Sequence, residues 1–373
     1  MALGKFCFTL FPLLCAMACQ ADSQPRIVDL KAADGTLLKA SYFAAAQPGP
    51  GVLLLHQCNQ QRKLWDPLAQ ALNAVGISVL TLDYRGFGES GGPRFDKLSP
   101  DDENKVTKEV WPGDIDVAYQ YLLSQSGVQR DKIGAGGASC GVDNSIQLAR
   151  RHPEIKVLVL LAGATDHDGR QFLQKPGLPI FTGAADDDSF ADFTFIMQWY
   201  YSLSPNPASR SQRYATGGHG AEIFASHPEF PTLIARWFQA TLKDQPSALP
   251  ETNGASLPSP QLQALKLIDE PNGAVKVDPK AAHLPEAVVN LLGYEHMLSG
   301  DTKNAIEIMK LNTVAYPDSP NAYDSLGDAY MADGQKDLAR SSARRAVELL
   351  GSDTKDDEQR KKNIKENAEK KLQ

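Results

Sequence analysis

Cysteine is scarce in the body of this chain. Of its 5 cysteines, Cys7, Cys15 and Cys19 fall in the first nineteen positions, which leaves Cys58 and Cys140 for everything that follows. Two thiols cannot form a disulfide framework, so the fold must rest on an apolar core. A surplus of positive charge is also missing. The net charge of −7 gives no reason to expect a nucleic-acid partner. The N-terminal apolar run, Phe6 to Ala18, is too short to span a bilayer comfortably. What is present is ordinary for a globular protein: 42% apolar residues, and 373 residues, which is room for two domains.

The N-terminus reads as an address rather than as fold. Lys5 precedes the apolar run, and Ala16-Met17-Ala18 supplies a small-residue cleavage site, so residues 1–19 are expected to be an export signal. Cys19 directly after that site resembles the lipidated cysteine of a bacterial lipobox, with Ala16 where leucine is usual. A lipid anchor at Cys19 and release as a free periplasmic or secreted protein are both open.

From residue 26 onward, strands alternate with helices. Strands are expected at 26–30 and 36–43, around the Asp34-Gly35 turn, and then at 52–56, 77–82, the stretch through Ile133, 154–161, 178–181 and 212–215. Helical spacing runs through 64–75, 112–123, 190–203 and 228–242. This alternation predicts a sheet of about eight strands, mostly parallel, with helices on both faces. Function in such sheets collects at the carboxyl ends of the strands. Only about sixteen residues separate the strands ending at Leu161 and starting at Leu178, which excludes a large inserted lid there.

Composition shifts at Asp244. Residues 244–285, rich in Pro, Ser, Ala and Asn, read as a linker with one helix near 261–268. Beyond it Leu292-Gly293 recurs as Leu326-Gly327, Gly300 as Gly334 and Ala305 as Ala339, each at an offset of 34 residues. With Tyr323, Tyr330 and Ala346, this resembles a pair of tetratricopeptide repeats over 286–350. Two repeats are fewer than usually stand alone, so docking on the first domain or on a second copy is expected. Residues 351–373 are charged and read as an end helix.

One stretch carries the chemistry. Gly137-Ala138-Ser139-Cys140-Gly141 fits G-x-S-x-G, in which a serine sits at a sharp strand-to-helix corner and the flanking glycines let strand and helix cross closely. A nucleophilic serine needs a base, and His219 between glycines in the loop after the last strand is the candidate. The base needs an orienting carboxylate. Asp186 after the strand ending at Phe181 is chosen, with Asp187, Asp188 and Asp166 as competitors.

The chain order Ser, Asp, His belongs to the α/β-hydrolase fold. With His56 after the third strand, Asp83-Tyr84-Arg85-Gly86-Phe87-Gly88-Glu89-Ser90, the serine motif, Gly183-Ala184-Ala185-Asp186 and Gly218-His219-Gly220, residues 26–243 resemble an α/β-hydrolase of the dienelactone-hydrolase-like and small serine-esterase branch. True dienelactone hydrolases carry cysteine at the nucleophile position, whereas here cysteine comes one residue later. The resemblance implies oxyanion donors at the backbone N–H of Cys140 and at Gln57 or Cys58. If both cysteines flank that hole, they are near neighbours, either disulfide-bonded or two small buried thiols. His56, Trp65, Phe190 and Trp199 are candidates for the substrate pocket, and Arg85 reads as structural.

These readings converge on an exported serine hydrolase that cleaves small-molecule esters through an acyl-enzyme, with no metal or cofactor. A protein partner through the helical repeats is the other expected interaction. The alternatives are an exopeptidase or acyltransferase on the same fold, or a tetratricopeptide scaffold with a vestigial hydrolase domain.

Overall fold

A computed structural model of the chain describes residues 24–188, 192–270 and 277–373. The expected export signal, Cys19 and Phe190 lie outside the described residues. Eight strands form one sheet: β1 (Arg26–Lys31), β2 (Leu37–Phe43), β3 (Gly49–Leu55), β4 (Ser78–Leu82), β5 (Val128–Ala138), β6 (Ile155–Leu161), β7 (Ile180–Ala185) and β8 (Arg210–Tyr214). Their order in the sheet is 1-2-4-3-5-6-7-8. β2 runs antiparallel to both β1 and β4, and β3 to β8 are parallel. This is the eight-stranded, mostly parallel sheet of the α/β-hydrolase fold.

The central strands are apolar on both sides because both faces are covered. Along β3 the two faces alternate. Leu53 and Leu55 join a cluster with α3 (Trp111–Ser124), α4 (Cys140–Arg151) and α6 (Phe193–Leu203). Val52 and Leu54 join another with α1 (Asp66–Ala74) and α8 (Phe230–Leu242). Shorter helices are α2 (Pro100–Lys105), α5 (His167–Leu173) and α7 (Ile223–Ser226). The polar stretch 93–110 is largely helical, and Phe95 anchors it on Phe87 and Trp111 at ring separations of 5.0 and 5.1 Å.

The stretch read as a linker is packed rather than loose. Gly254 N–H donates to the Ser211 carbonyl at the open edge of β8. Leu257, Ala264, Leu265 and Ile268, the last three on α9 (Ser259–Asp269), join the main apolar cluster. Proline and serine stiffen and decorate such a segment, but its periodic leucines decide where it lies.

Beyond it, α10 (Glu286–Leu298) and α11 (Thr302–Ala315) form one hairpin, and α12 (Pro320–Ala332) and α13 (Lys336–Leu350) a second. α14 (Glu358–Leu372) closes the end. Fully buried Ala305 and Ala339, which recur at the 34-residue offset, let the helices approach closely. Val288, Val289 and Leu292 of α10 share the core cluster of the sheet, so the helical region docks on the first domain. A buried cation reinforces that seam. Arg170 on α5 donates to Asp269 on α9 and Glu295 on α10, and its guanidinium lies 5.1 Å from the Trp199 ring centroid.

Candidate active site

The strand-to-helix corner has the geometry that its sequence predicts. Ser139 sits at φ 52° and ψ −120°, a region that costs a residue with a side chain about 1–3 kcal/mol. A Cβ on Gly137 would lie 1.8 Å from the Gly141 carbonyl oxygen, and one on Gly141 would lie 2.2 Å from the Leu55 carbonyl oxygen. Both glycines are therefore steric necessities: strand, helix and neighbouring strand meet at backbone contact. The Ser139 N–H is held by the Leu161 carbonyl at 2.9 Å.

His219 lies in the loop after β8, almost fully buried. Its backbone N–H is met by the Glu222 carboxylate at 3.3 Å. The next residue touches the serine corner, since a Cβ on Gly220 would stand 3.2 Å from Ala138 Cβ. The carboxylate on the imidazole is that of Asp188. Asp188 Oδ2 is 2.7 Å from His219 Nδ1, with side-chain exposures of 1% and 5%. The expected partner, Asp186, is engaged elsewhere: it accepts from Arg213 Nε at 2.7 Å and from Thr194 Oγ1 at 3.0 Å. Asp187 accepts from Gly218 N–H at 2.9 Å. Asp166 caps α5 by accepting from Gly169 N–H at 2.8 Å. Three consecutive aspartates in one turn thus face three directions, and sequence spacing cannot rank them.

Cys58 and Cys140 are disulfide-bonded, with their Cα atoms 5.9 Å apart. The sheet register brings them together. Leu55 pairs with Gly137 across parallel strands β3 and β5, and each cysteine is the third residue past that pair. The bond closes a separation of 82 residues, worth roughly 4 kcal/mol on loop-closure entropy. Cys140 opens α4, where the first-turn N–H groups have no intrahelical acceptor.

Gln57 is fully buried and bridges two loops. Its side-chain oxygen accepts from Ala221 N–H at 3.1 Å, and its Nε2 donates to the His219 carbonyl at 3.3 Å and to Glu222 at 3.2 Å. Its side chain therefore ties the β3 loop to the histidine loop. Glu222 also accepts from Gln60 Nε2 at 3.1 Å. Sequence reasoning missed Glu222, although a glutamate three residues after a helix-capping position is a readable signal.

Three pocket expectations need correction. His56 is fully buried, sandwiched against Tyr84 and Phe87 at ring separations of 4.4 and 5.2 Å. Its Nε2 accepts from Tyr84 N–H at 3.1 Å, which leaves the proton on Nδ1 to donate to the Gln57 carbonyl at 2.7 Å. Burial pushes its pKa down to about 4, so the ring is neutral. Trp65 is fully buried against Phe224, and Trp199 packs on Arg170. Large apolar side chains near a site more often complete the core beneath it. Phe193, at 5.3 Å from the His219 ring, does face the site. Beside Asp188, a cleft of about 790 Å³ is lined from both regions of the chain, by Phe193 and Arg213 on one side and by Glu286 and Arg360 on the other. Arg85 pairs with Asp114 at 2.9 Å and with Asp34.

The chain is similar over part of its length to several known proteins. The model of the family described as serine aminopeptidase, S33, matches residues 46–183. An uncharacterized protein of Mycobacterium tuberculosis is 29% identical over 157 residues, covering 42% of this chain and 51% of that relative. A thiohydrolase of Aspergillus aculeatus is 25% identical over 133 residues, covering 35% of this chain and 39% of that relative. The matches thus span about half the length of the first of these relatives, and less of the second. Among solved structures, an esterase of Pyrococcus furiosus is similar at a TM-score of 0.48 and 16% identity, covering 59% of this chain and 93% of that one.

Proposed function

We propose that the protein is an exported serine hydrolase acting on small-molecule esters, with Ser139 as nucleophile, His219 as base and Asp188 as the orienting acid. The observation that carries this reading is the buried 2.7 Å contact between Asp188 and His219 Nδ1, in a loop that abuts the strained corner at Ser139. Asp188 fixes the imidazole with its proton on Nδ1, leaving Nε2 to take the serine proton during attack. The same nitrogen returns that proton to the leaving alcohol, and a water activated in the same way then releases the acyl group. The tetrahedral oxyanion is held by the N–H groups of Cys140 and Cys58, each worth roughly 3 kcal/mol in the transition state.

Export fits the disulfide, because such bonds persist in oxidising compartments. The tetratricopeptide-like hairpins serve first as a wall of the cleft beside Asp188, and their outer surface is left for a protein partner. Fluorophosphonate labelling tests the assignment. Wild type should label and Ser139→Ala should not, with kcat lowered on the order of 10⁶-fold. Unlabelled, folded wild type would sink the hydrolase reading. p-Nitrophenyl esters of increasing chain length then define the acyl preference, and aminoacyl p-nitroanilides in the same screen test the exopeptidase alternative.

A further inference from the structure

The two proposed oxyanion donors come from loops that the chain joins only through a long detour. Their geometry depends on what fastens those loops together. Two fastenings converge on one peptide unit, that between Gln57 and Cys58.

The first is at its carbonyl end. Among the described residues no peptide bond is cis, so the Cys58 N–H points opposite to the Gln57 carbonyl across a planar unit. That carbonyl accepts from His56 Nδ1–H at 2.7 Å and from Gln60 N–H at 3.1 Å. His56 itself cannot swing. Its other nitrogen is held by Tyr84 N–H, and its ring is buried between Tyr84 and Phe87. The direction of the Cys58 N–H is therefore set from beneath, by a histidine that does not reach the surface.

The second fastening is the disulfide. Cys58 is bonded to the residue whose own N–H is the other donor, at a Cα separation of 5.9 Å. We infer that the Cys58–Cys140 disulfide is a positioning element of the reaction: it sets the distance between the two backbone donors, while His56 sets the direction of one. This inference rests on the hydrolase reading.

Magnitudes favour a measurable role. Bonded sulfurs lie about 2.0 Å apart, whereas non-bonded heavy atoms settle near 3.5–4.0 Å, so reduction releases a tether and leaves the two loops free to part by up to about 1.5 Å. A misplacement of about 1 Å can cost on the order of 100-fold in rate. Reduction by a dithiol is balanced as follows. One dithiol thiolate attacks a cysteine sulfur to give a mixed disulfide, and its second thiolate displaces the protein. The dithiol is oxidised to a cyclic disulfide, and two electrons and two protons pass to Cys58 and Cys140.

The test uses the purified chain, with thiol titration and mass spectrometry to verify its redox state and circular dichroism to verify its fold. Dithiothreitol-reduced wild type and the Cys58→Ser, Cys140→Ser double variant are compared with oxidised wild type on a p-nitrophenyl ester. We expect kcat to fall on the order of 100-fold with KM within about threefold, because the donors act on the transition state. A boronic acid that mimics the tetrahedral intermediate should weaken by the same factor as kcat/KM, and reoxidation of the wild type should restore both. His56→Gln, which frees the peptide from beneath, should show the same split while its disulfide stays intact. Unchanged kcat in verified, folded, reduced protein would overturn the inference and leave the hydrolase reading standing. So would a loss of activity that only tracks a loss of fold. Oxidised wild type that neither labels with fluorophosphonate nor hydrolyses any ester would overturn both.

Discussion

The sheet domain and the helical region bury polar side chains for different ends. In the sheet domain one set gathers where strands β3, β7 and β8 end: the side chains of His56, Gln57, Asp188 and His219 are buried there, brought together from distant stretches. In the helical region they act as clasps between neighbouring helices. Lys371 on α14 reaches Asp324 and Asp328 on α12 at 2.7 Å, and Ser319 at the start of α12 donates to Glu286 on α10. The difference teaches that burial of a polar group is not itself a sign of chemistry. What separates the two sets is convergence from several strand ends as against contact between packed helices.

That contrast can be broken by experiment. The largest effect belongs to the carboxylate that meets the imidazole. Asp188→Asn should lower kcat on the order of 10⁴-fold with little change in melting temperature, because it upsets the histidine tautomer. The neighbouring Asp186→Asn should change kcat by no more than about threefold, since its pair with Arg213 is half exposed. The reverse ranking in steady-state kinetics would return Asp186 to the site.

The next effect should fall on stability alone. Lys371→Ala leaves Asp324 buried and Asp328 partly buried without their cation, and should cost about 3 kcal/mol in denaturant unfolding of the helical region. The kcat of the folded variant should match wild type. A drop in kcat would mean that the two sets of polar groups are coupled after all.

The smallest effect is a pH slope. His56 is neutral in the fold, with a pKa near 4 against an ordinary 6.5, because of its burial. Below pH 6.5 the unfolded chain takes a proton there that the native state refuses. This contribution is therefore complete above pH 6.5 and is lost as the pH falls toward 4, by about 3 kcal/mol in all. Denaturation midpoints of wild type and His56→Asn across that range check it. Equal slopes would show that His56 is not held neutral.

Much of this molecule was legible locally. The central strands announced themselves by apolar runs of strand length and the first pair by the turn at Asp34-Gly35, and G-x-S-x-G announced the corner because no larger residue fits at Gly137 or Gly141. The recurrence at an offset of 34 residues announced the hairpins before their packing was known. These are properties of short windows, in which backbone sterics and hydrophobic periodicity act between near neighbours. The candidate acid was not legible, because Asp186, Asp187 and Asp188 are chemically identical and differ only in which way one turn points them. Nor was the role of His56, whose position at a strand end suggested contact with substrate until Tyr84 and Phe87 closed over it.

The same division decides what organises the chain. The sequence by itself determined the strained serine corner, since its glycines and its serine are one contiguous stretch. Only the tertiary structure decided that Cys58 meets Cys140, that Gln57 reaches the histidine loop and that Asp188 takes the imidazole. Each of those depends on the register of parallel strands that lie side by side in the sheet but far apart along the chain.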